Sequence, residues 1–461
     1  MSAERPTSHP APSWPVGAGV SHHDGPGGSR RVVSHPDEPA DDRPVVAHLV
    51  TPYLFSTGSW VHSQLRFTTE FRPIVLTQMT QNLEIFPHDE IHDLGPFGQA
   101  ASAARSAWSR ATWNAHRLLL GEYPLGPYRR VLEARSVRLI HAHLGWEGAR
   151  TARLARAPRR PFVVSFYGRD GGKLARHPYW RVLYRRLFRL ADRVIVEGPF
   201  MARTLERIGA PADRIRVVHL GIPLEQFPFV QRQPPATAGQ GTAVHAGAAG
   251  QHARLEEASA HGGSDGEVIG LIAASFREKK GIIYGLEAVA RVAREFPRLR
   301  LRIIGDGPLR SEIERRAAQA DLAGRVDLLG YLAYPQYRLE LARAHFFLAP
   351  SCTARDGDAE GGAPVCLLEA QASGLPVVST THCDIPEVTR PGESALLAPE
   401  RDANALASLL QQLLRQPERW RAMGEAGRRH VEAEFDIRRQ VERMGEVYRE
   451  LLPDSATAPQ R

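Results

Sequence analysis

The chain has 461 residues, 43% of them hydrophobic and 24% charged, with 40 Gly and 35 Pro, a length and composition that suggest two or three globular domains and exclude fibrous, collagenous and wholly disordered classes. Three cysteines (Cys352, Cys366, Cys383) make no CxxC pair, and no run of 18 apolar residues or N-terminal apolar h-region occurs; the cytoplasm is therefore the expected compartment, with no transmembrane helix, signal peptide, disulfide framework or zinc ribbon expected. The net charge of +8 is unevenly spread: residues 101–230 hold 24 Lys and Arg against 9 Asp and Glu, and the remainder is net acidic, which points to an anionic partner for one half only.

In chain order, residues 1–42 are rich in Pro, Gly, Ser, His and Asp and read as a disordered tail. Residues 43–231 alternate β-branched runs with amphipathic stretches, the strands being expected at Val45–Val50, Pro73–Thr77, Leu139–His143, Phe162–Phe166, Arg193–Val196 and Ile215–His219. A Gly-, Ala- and His-rich stretch, 232–267, reads as a linker or insertion. Residues 268–439 resume the alternation. Strands are expected at Val268–Ala273, Arg300–Ile304, Val326–Leu329, Phe346–Ala349 and Pro376–Ser379, with helices over Tyr284–Glu295, Pro308–Ala320, Pro335–Ala344 and Val365–Ser373. A helix at 440–452 packs back on the first domain in this reading, and 453–461 is a tail. Strand and helix in alternation imply parallel sheets covered on both faces. The expected fold is α/β, with two doubly wound Rossmann-like domains facing a central cleft, and ligands are sought at the strands' carboxyl ends.

Within the first half, Tyr179–Leu190 is a basic amphipathic helix. Its arginines, Arg181, Arg185, Arg186 and Arg189, suit anionic lipid headgroups at roughly 1 kcal/mol each, with Trp108, Trp113 and Leu118–Leu120 adding apolar contacts. A helix whose apolar face packs into the domain core is an equally good reading. No DNA- or RNA-reading motif accompanies the charge, so nucleic acid is not an expected partner. His141 and His143 are taken to face opposite sides of their strand, and no metal site is expected.

Two segments carry the chemistry. Ala274-Ser-Phe-Arg277-Glu-Lys279-Lys280-Gly281 follows a strand and precedes a helix, the place where a basic loop can bind phosphate. The chain has only three lysines against 56 arginines, yet two of the three are adjacent in this loop. The other segment runs from Glu360-Gly361-Gly362-Ala363-Pro364-Val365 to Glu369 and Ala-Ser-Gly-Leu-Pro-Val-Val-Ser. Its glycine turn opens a helix near Pro364, so free N–H groups can hold phosphate. Glu369 lies one turn inside, amid apolar neighbours that make an unpartnered carboxylate costly. A solvated charge cluster and an ordinary helix cap remain the competing readings. Gly305-Asp-Gly307-Pro308 lacks the third glycine of a dinucleotide fingerprint.

Together these segments resemble the donor-binding half of the retaining family-4 glycosyltransferases of GT-B architecture, in particular the exopolysaccharide and colanic-acid-type subgroup. The resemblance covers about residues 44–451, the 232–267 stretch excepted. It implies an enzyme that moves a hexose from a nucleotide-diphosphate sugar to a growing, lipid-linked glycan, with retention and without a metal or other cofactor, peripherally on the cytoplasmic membrane face. It further implies that Lys280 and Arg277 bind the donor diphosphate and Glu369 the ribose diol. Glu360 and the Gly361–Val365 backbone would bind sugar and phosphate, backbone at Tyr331–Leu332 would read the base, and Gly58 would approach the β-phosphate. His143, Tyr167 and Asp170 would line the acceptor side, with Glu360, Lys280 and His143 the catalytic set. This chain departs from the family in three ways. Eight residues separate Glu360 from Glu369 where the family usually has seven, Ser275 stands where an arginine is usual, and Tyr167 stands where a histidine often does. A sugar-nucleotide epimerase of the same architecture, or a non-catalytic nucleotide-sugar-binding protein, is the alternative.

Overall fold

A computed structural model describes residues 41–54, 58–95, 113–232 and 266–452. Residues 1–40 of the N-terminal tail, the 453–461 tail, the 233–265 part of the linker and Trp108 lie outside the described residues. A seven-stranded parallel sheet forms the first half, in the order β3-β2-β1-β4-β5-β6-β7. Its strands are β1 (Val45–Leu49), β2 (Arg72–Thr77), β3 (Ile91–Asp93), β4 (Leu139–His143), β5 (Phe162–Phe166), β6 (Arg193–Val196) and β7 (Ile215–Val217). The second half is a six-stranded parallel sheet in the order β10-β9-β8-β11-β12-β13. It comprises β8 (Val268–Ala273), β9 (Leu299–Ile304), β10 (Val326–Gly330), β11 (Phe346–Ala349), β12 (Val377–Thr380) and β13 (Ala395–Ala398). Each sheet reverses its winding direction once, between β1 and β4 and between β8 and β11. Those crevices lie at the strands' carboxyl ends, where the sheets leave room for a ligand.

Central strands β1, β4 and β5 are buried along their whole length, as strands covered by helices on both faces must be. On one face Leu49, Ile140, Val164 and Val196 pack with Leu183, Tyr184, Leu187 and Phe188 of the Pro178–Leu190 helix. On the other, Val46, Leu139, Val163 and Ile195 pack with Met444, Val447 and Tyr448 of the Ile437–Leu451 helix. That terminal helix starts in the second half of the chain and closes the first sheet. Its entry is fixed by Ile222 N–H donating to Phe435 O (3.0 Å) and Ile437 N–H donating to Ile222 O (3.1 Å). Asp436 caps its N-terminus through Arg438 N–H at 2.8 Å, an interaction of about 1 kcal/mol.

Two strands escape the sequence reading, Ile91–Asp93 and Ala395–Ala398. Both are edge strands of three and four residues, too short to show alternation. His141 and His143 need a correction as well. Residues two apart on a strand share a face, and the two rings stack at 4.3 Å on the side that also carries His48. Of the two readings of the basic helix, the apolar face is that of a core-packed helix; the correction concerns Arg186, an ion-pair partner of the buried Glu122, which does not belong to the exposed arginine row.

Candidate active site between the two sheets

Gly281 sets the loop after β8. Its φ of +60° and its position against Pro350 O leave no room for a Cβ, so only glycine lets the Ala274–Gly281 loop lie on the segment following β11. The consequence is an ion pair: Lys280 Nζ is 2.7 Å from Glu360 Oε1, with the side chains 17% and 8% exposed. Lys279 stands behind it, 3.9 Å from Glu360 and 3.6 Å from Asp358, and donates to Ala359 O at 3.0 Å. Ser351 Oγ, 3.3 Å from Glu360 Oε1, adds a further hydrogen bond. Burial by itself would raise the Glu360 pKa; the two ammonium groups outweigh it and hold the carboxyl below the usual glutamate range. Burial would lower Lys280, and Glu360 outweighs it in turn, so the ammonium is held above its ordinary value. Both groups are charged at neutral pH.

The loop then runs through Gly361, Gly362, Ala363 and Pro364 into the Val365–Ala372 helix, which no side chain caps. With no side chain capping that start, its first-turn N–H groups are free of a side-chain acceptor, an arrangement that can hold an anion. Gly58 occupies the corresponding place in the first half, at the uncapped start of the Ser59–Phe67 helix. Arg277 is exposed at the start of the Glu278–Lys280 turn and is not part of the Lys280–Glu360 contact. Leu332 is half-buried against the core that includes Leu367 and Leu368, next to the exposed Tyr331.

Glu369 is one turn into that helix and buried. Tyr337 OH donates to it at 2.8 Å and Tyr334 OH also donates to it. Burial pushes its pKa up against the two hydroxyls. Both carboxylate oxygens are thus engaged within the protein, so a ribose diol would have to replace a tyrosine hydroxyl or share a lone pair with it. The two tyrosines belong to the Tyr334–Arg343 helix, three residues apart and therefore on one face.

Across the cleft, Tyr167 OH is 2.7 Å from His143 Nδ1, and His143 Nε2 is 3.0 Å from His48 Nδ1. His141 bonds Tyr448 OH at 2.6 Å and Ser165 Oγ at 2.8 Å. Burial pushes His143 down to about 3 and drives His48 and His141 well below the usual histidine value, so all three are neutral at pH 7. Among the described residues His48, His141 and His143 bring ligand nitrogens within 4.8 Å of one another. The expectation that strand geometry keeps these histidines apart is wrong. Hydrogen bonds nevertheless engage every ring nitrogen except His48 Nε2, and the arrangement serves as a polar column under Tyr167.

Asp170 is placed differently from its expected acceptor-side position. It is fully buried and accepts from Gly145 N–H at 2.7 Å and Tyr167 N–H at 2.9 Å. Burial pushes its pKa up to about 6 against those amides. It shapes the loop that presents Tyr167 and is not itself exposed to the cleft. That loop meets the donor side directly: Gly168 (φ +87°) and Gly361 (φ +88°) pack backbone to backbone, and a Cβ on either would collide with the other loop. Lys173 pairs with Asp356 across the same gap.

Four residues near this junction carry no motif signal. Glu197 directly follows β6 and packs on Gly362. His382, Asp384 and Glu400 surround the Glu360 loop. Their common feature is a position just beyond the carboxyl end of a strand, the location at which ligands of such sheets gather.

Residues 254–430 match the family model of glycosyl transferases group 1, and residues 99–221 match that of the glycosyl transferase 4-like domain. The amylovoran biosynthesis glycosyltransferase AmsK of Erwinia amylovora is 31% identical over 311 residues, 67% of this chain and 69% of that protein. The putative colanic acid biosynthesis glycosyltransferase WcaL of Salmonella typhimurium is 30% identical over 276 residues, 59% of this chain. The match spans 61% of WcaL's length, and 59% of that of the Escherichia coli protein of the same name. Among solved structures, sucrose-phosphate synthase from Thermosynechococcus elongatus superposes with a TM-score of 0.67 at 19% identity, covering 89% of this chain and 99% of that one. Anabaena HepE in complex with UDP does so with a TM-score of 0.66 at 14% identity, covering 88% and 100%. At these identities the likeness is one of fold, the GT-B arrangement of two parallel-sheet domains.

Proposed function

The chain belongs to the group 1, family-4 glycosyltransferases, and on that premise we propose that it moves a hexose from a nucleotide-diphosphate sugar to a growing, lipid-linked glycan in exopolysaccharide synthesis, with retention at the anomeric carbon. The observation that carries this reading is the buried Lys280–Glu360 pair beside the uncapped N-terminus of the Val365–Ala372 helix. A fixed cation and aligned N–H groups at one crevice suit a diphosphate leaving group. They stabilise charge as it grows on the departing oxygen, without reorganisation.

In this account the donor diphosphate lies between Lys280 and the two uncapped helix starts at Gly58 and Pro364, with Arg277 closing from the solvent side. Glu360 and the Gly361–Val365 backbone hold the sugar, Glu369 the ribose, and the Tyr331–Leu332 backbone the base. His143 positions Tyr167, whose hydroxyl is 2.7 Å from its Nδ1. A phenol held above its ordinary pKa by burial is a poor base near neutrality. The acceptor hydroxyl therefore forms its bond to the anomeric carbon as the carbon–phosphate oxygen bond breaks on the same face, and its proton passes to the leaving diphosphate. No cofactor or metal takes part in the proposed step.

An anionic membrane surface is proposed as the second partner. Arg181, Arg185 and Arg189 are exposed on the Pro178–Leu190 helix together with Val182, 64% exposed, and Tyr179. Leu118 and Leu120 are exposed on the neighbouring segment that Tyr179 OH reaches through Arg117 O at 3.2 Å. Such a basic rim around apolar tips favours an acidic leaflet. No helix of the described residues is long and apolar enough to cross a membrane, so attachment would be peripheral. A panel of nucleotide sugars incubated with a membrane-lipid acceptor extract tests the reading. Transfer to lipid is expected. An altered nucleotide sugar formed without acceptor would indicate an epimerase, and binding with no product a non-catalytic protein.

A further inference from the structure

His382 lies in the loop after β12 and is completely buried. Its Nε2 is 3.1 Å from Glu360 N and its Nδ1 is 2.7 Å from Glu400 Oε1. An amide N–H can only donate, so Nε2 accepts; Nδ1 then carries the proton and donates to Glu400. Glu400 is fixed in turn by Thr353 N–H at 2.7 Å. The tautomer follows from the bonding, and the chain Glu400–His382–Glu360 pins the backbone of the residue that pairs with Lys280.

Two residues on, Asp384 does something different. Its N–H donates to Gly362 O at 3.2 Å, inside the donor loop. Its side chain crosses the cleft, where Phe200 N–H donates to Oδ1 at 2.8 Å. Phe200 is in the first turn of the nine-residue Pro199–Arg207 helix, whose own N-cap, Gly198, offers no side chain. The helix of one domain is therefore capped by a carboxylate of the other. Gly198 packs against that carboxylate closely enough to leave no space for a Cβ. One short loop thus touches the donor loop at Glu360 and Gly362 and the opposite domain at the helix start.

We infer that the 382–384 loop couples approach of the two domains to the seating of Glu360, Asp384 acting as a cross-cleft helix cap and His382 as the positioning residue that holds the Glu360 backbone. When the domains separate, the cap bond is lost, the loop gains freedom, and Glu360 and Gly362 lose their common anchor. Closure therefore completes the donor site. The catalytic importance of Glu360 rests on the function proposed above; the mechanical link does not.

The test is amide hydrogen exchange on the full chain, read at Phe200 and at Glu360, alongside donor kinetics. Asp384→Ala should raise exchange at Phe200 and also at Glu360, although Asp384 does not touch the Glu360 amide. His382→Ala should raise exchange at Glu360 and leave Phe200 protected, with kcat reduced about tenfold to a hundredfold, the scale of a misplaced catalytic group, and donor KM nearly unchanged. Asp384→Asn keeps an acceptor oxygen for Phe200 N–H and should restore protection at both amides. It also guards against a simple folding defect in the alanine variant. Exchange at Glu360 that ignores Asp384→Ala would overturn the coupling, as would failure of Asp384→Asn to restore it. If exchange is coupled and no nucleotide sugar is turned over by the unaltered protein, the loop inference stands and the proposed function fails.

Discussion

Replacing Lys280 by alanine isolates the interaction on which the proposed chemistry depends. The ammonium is 2.7 Å from a carboxylate that is only 8% exposed. Removing one partner of such a pair leaves the other buried and under-compensated, a loss of about 3–5 kcal/mol in typical cases. Here the loss is cushioned, because Lys279 is 3.9 Å from Glu360 and Ser351 donates to it. The stability cost should fall near the lower bound, about 3 kcal/mol or less. On the donor, the same cation faces charge developing on the leaving diphosphate. Loss of one such preorganised stabiliser costs about 2.7–4 kcal/mol, a drop of about a hundredfold to a thousandfold in kcat. The two effects are separable: urea melts give the first, and single-turnover transfer at a temperature where the variant is folded gives the second. A Lys280→Ala protein that folds and transfers within threefold of the unaltered enzyme would refute the assignment of Lys280. Full loss of both folding and activity would shift Lys280 to a structural role.

Other outcomes follow from the same geometry. Glu369→Ala strands the Tyr334 and Tyr337 hydroxyls and should weaken nucleoside diphosphate binding about tenfold or more in calorimetry; unchanged affinity removes Glu369 from the ribose site. Asp170→Ala leaves the Gly145 and Tyr167 amides without their acceptor and should cost about 2–4 kcal/mol in denaturant unfolding. His143 has a folded pKa of about 3, below its unfolded value of about 6.5. Its neutral form contributes stability that is present above pH 6.5 and lost as the pH falls towards 3, because the unfolded chain then binds the extra proton. The destabilisation caused by His143→Gln should therefore shrink by about 2 kcal/mol between pH 7 and pH 5, as measured by paired urea melts; a constant difference would contradict the buried neutral state. Changing Arg181, Arg185 and Arg189 together to serine should reduce co-sedimentation with anionic vesicles about a hundredfold and leave transfer to a soluble acceptor unchanged.

Much of the architecture is legible in the residues because parallel strands buried on both faces spell themselves as apolar runs. Phe162–Phe166 and Val268–Ala273 have the same bounds in the reading and in the structure. Edge strands have no such signature, which is why Ile91–Asp93 and Ala395–Ala398 pass unnoticed. For the site, Lys280 and Glu360 stand out through rare lysine usage and a glycine-rich turn, and the structure brings them into contact. The roles expected of Asp170 and Arg186 depended on side-chain direction, which only tertiary packing decides: one is spent on backbone amides, the other on Glu122. The histidine pair was open to correct reading from the two-residue period alone. By contrast, His382 and Asp384 act through a backbone amide and through a helix in the other domain. No local pattern encodes a partner that is distant in the chain.

Acceptor-dependent release of nucleoside diphosphate, with the anomeric configuration of the new linkage read by NMR, decides whether this protein transfers a sugar with retention. The account requires stoichiometric release and transfer, an anomeric configuration matching that of the donor, and loss of both in Lys280→Ala. Release without acceptor, an inverted product, or transfer by Lys280→Ala within threefold of the unaltered enzyme would contradict it.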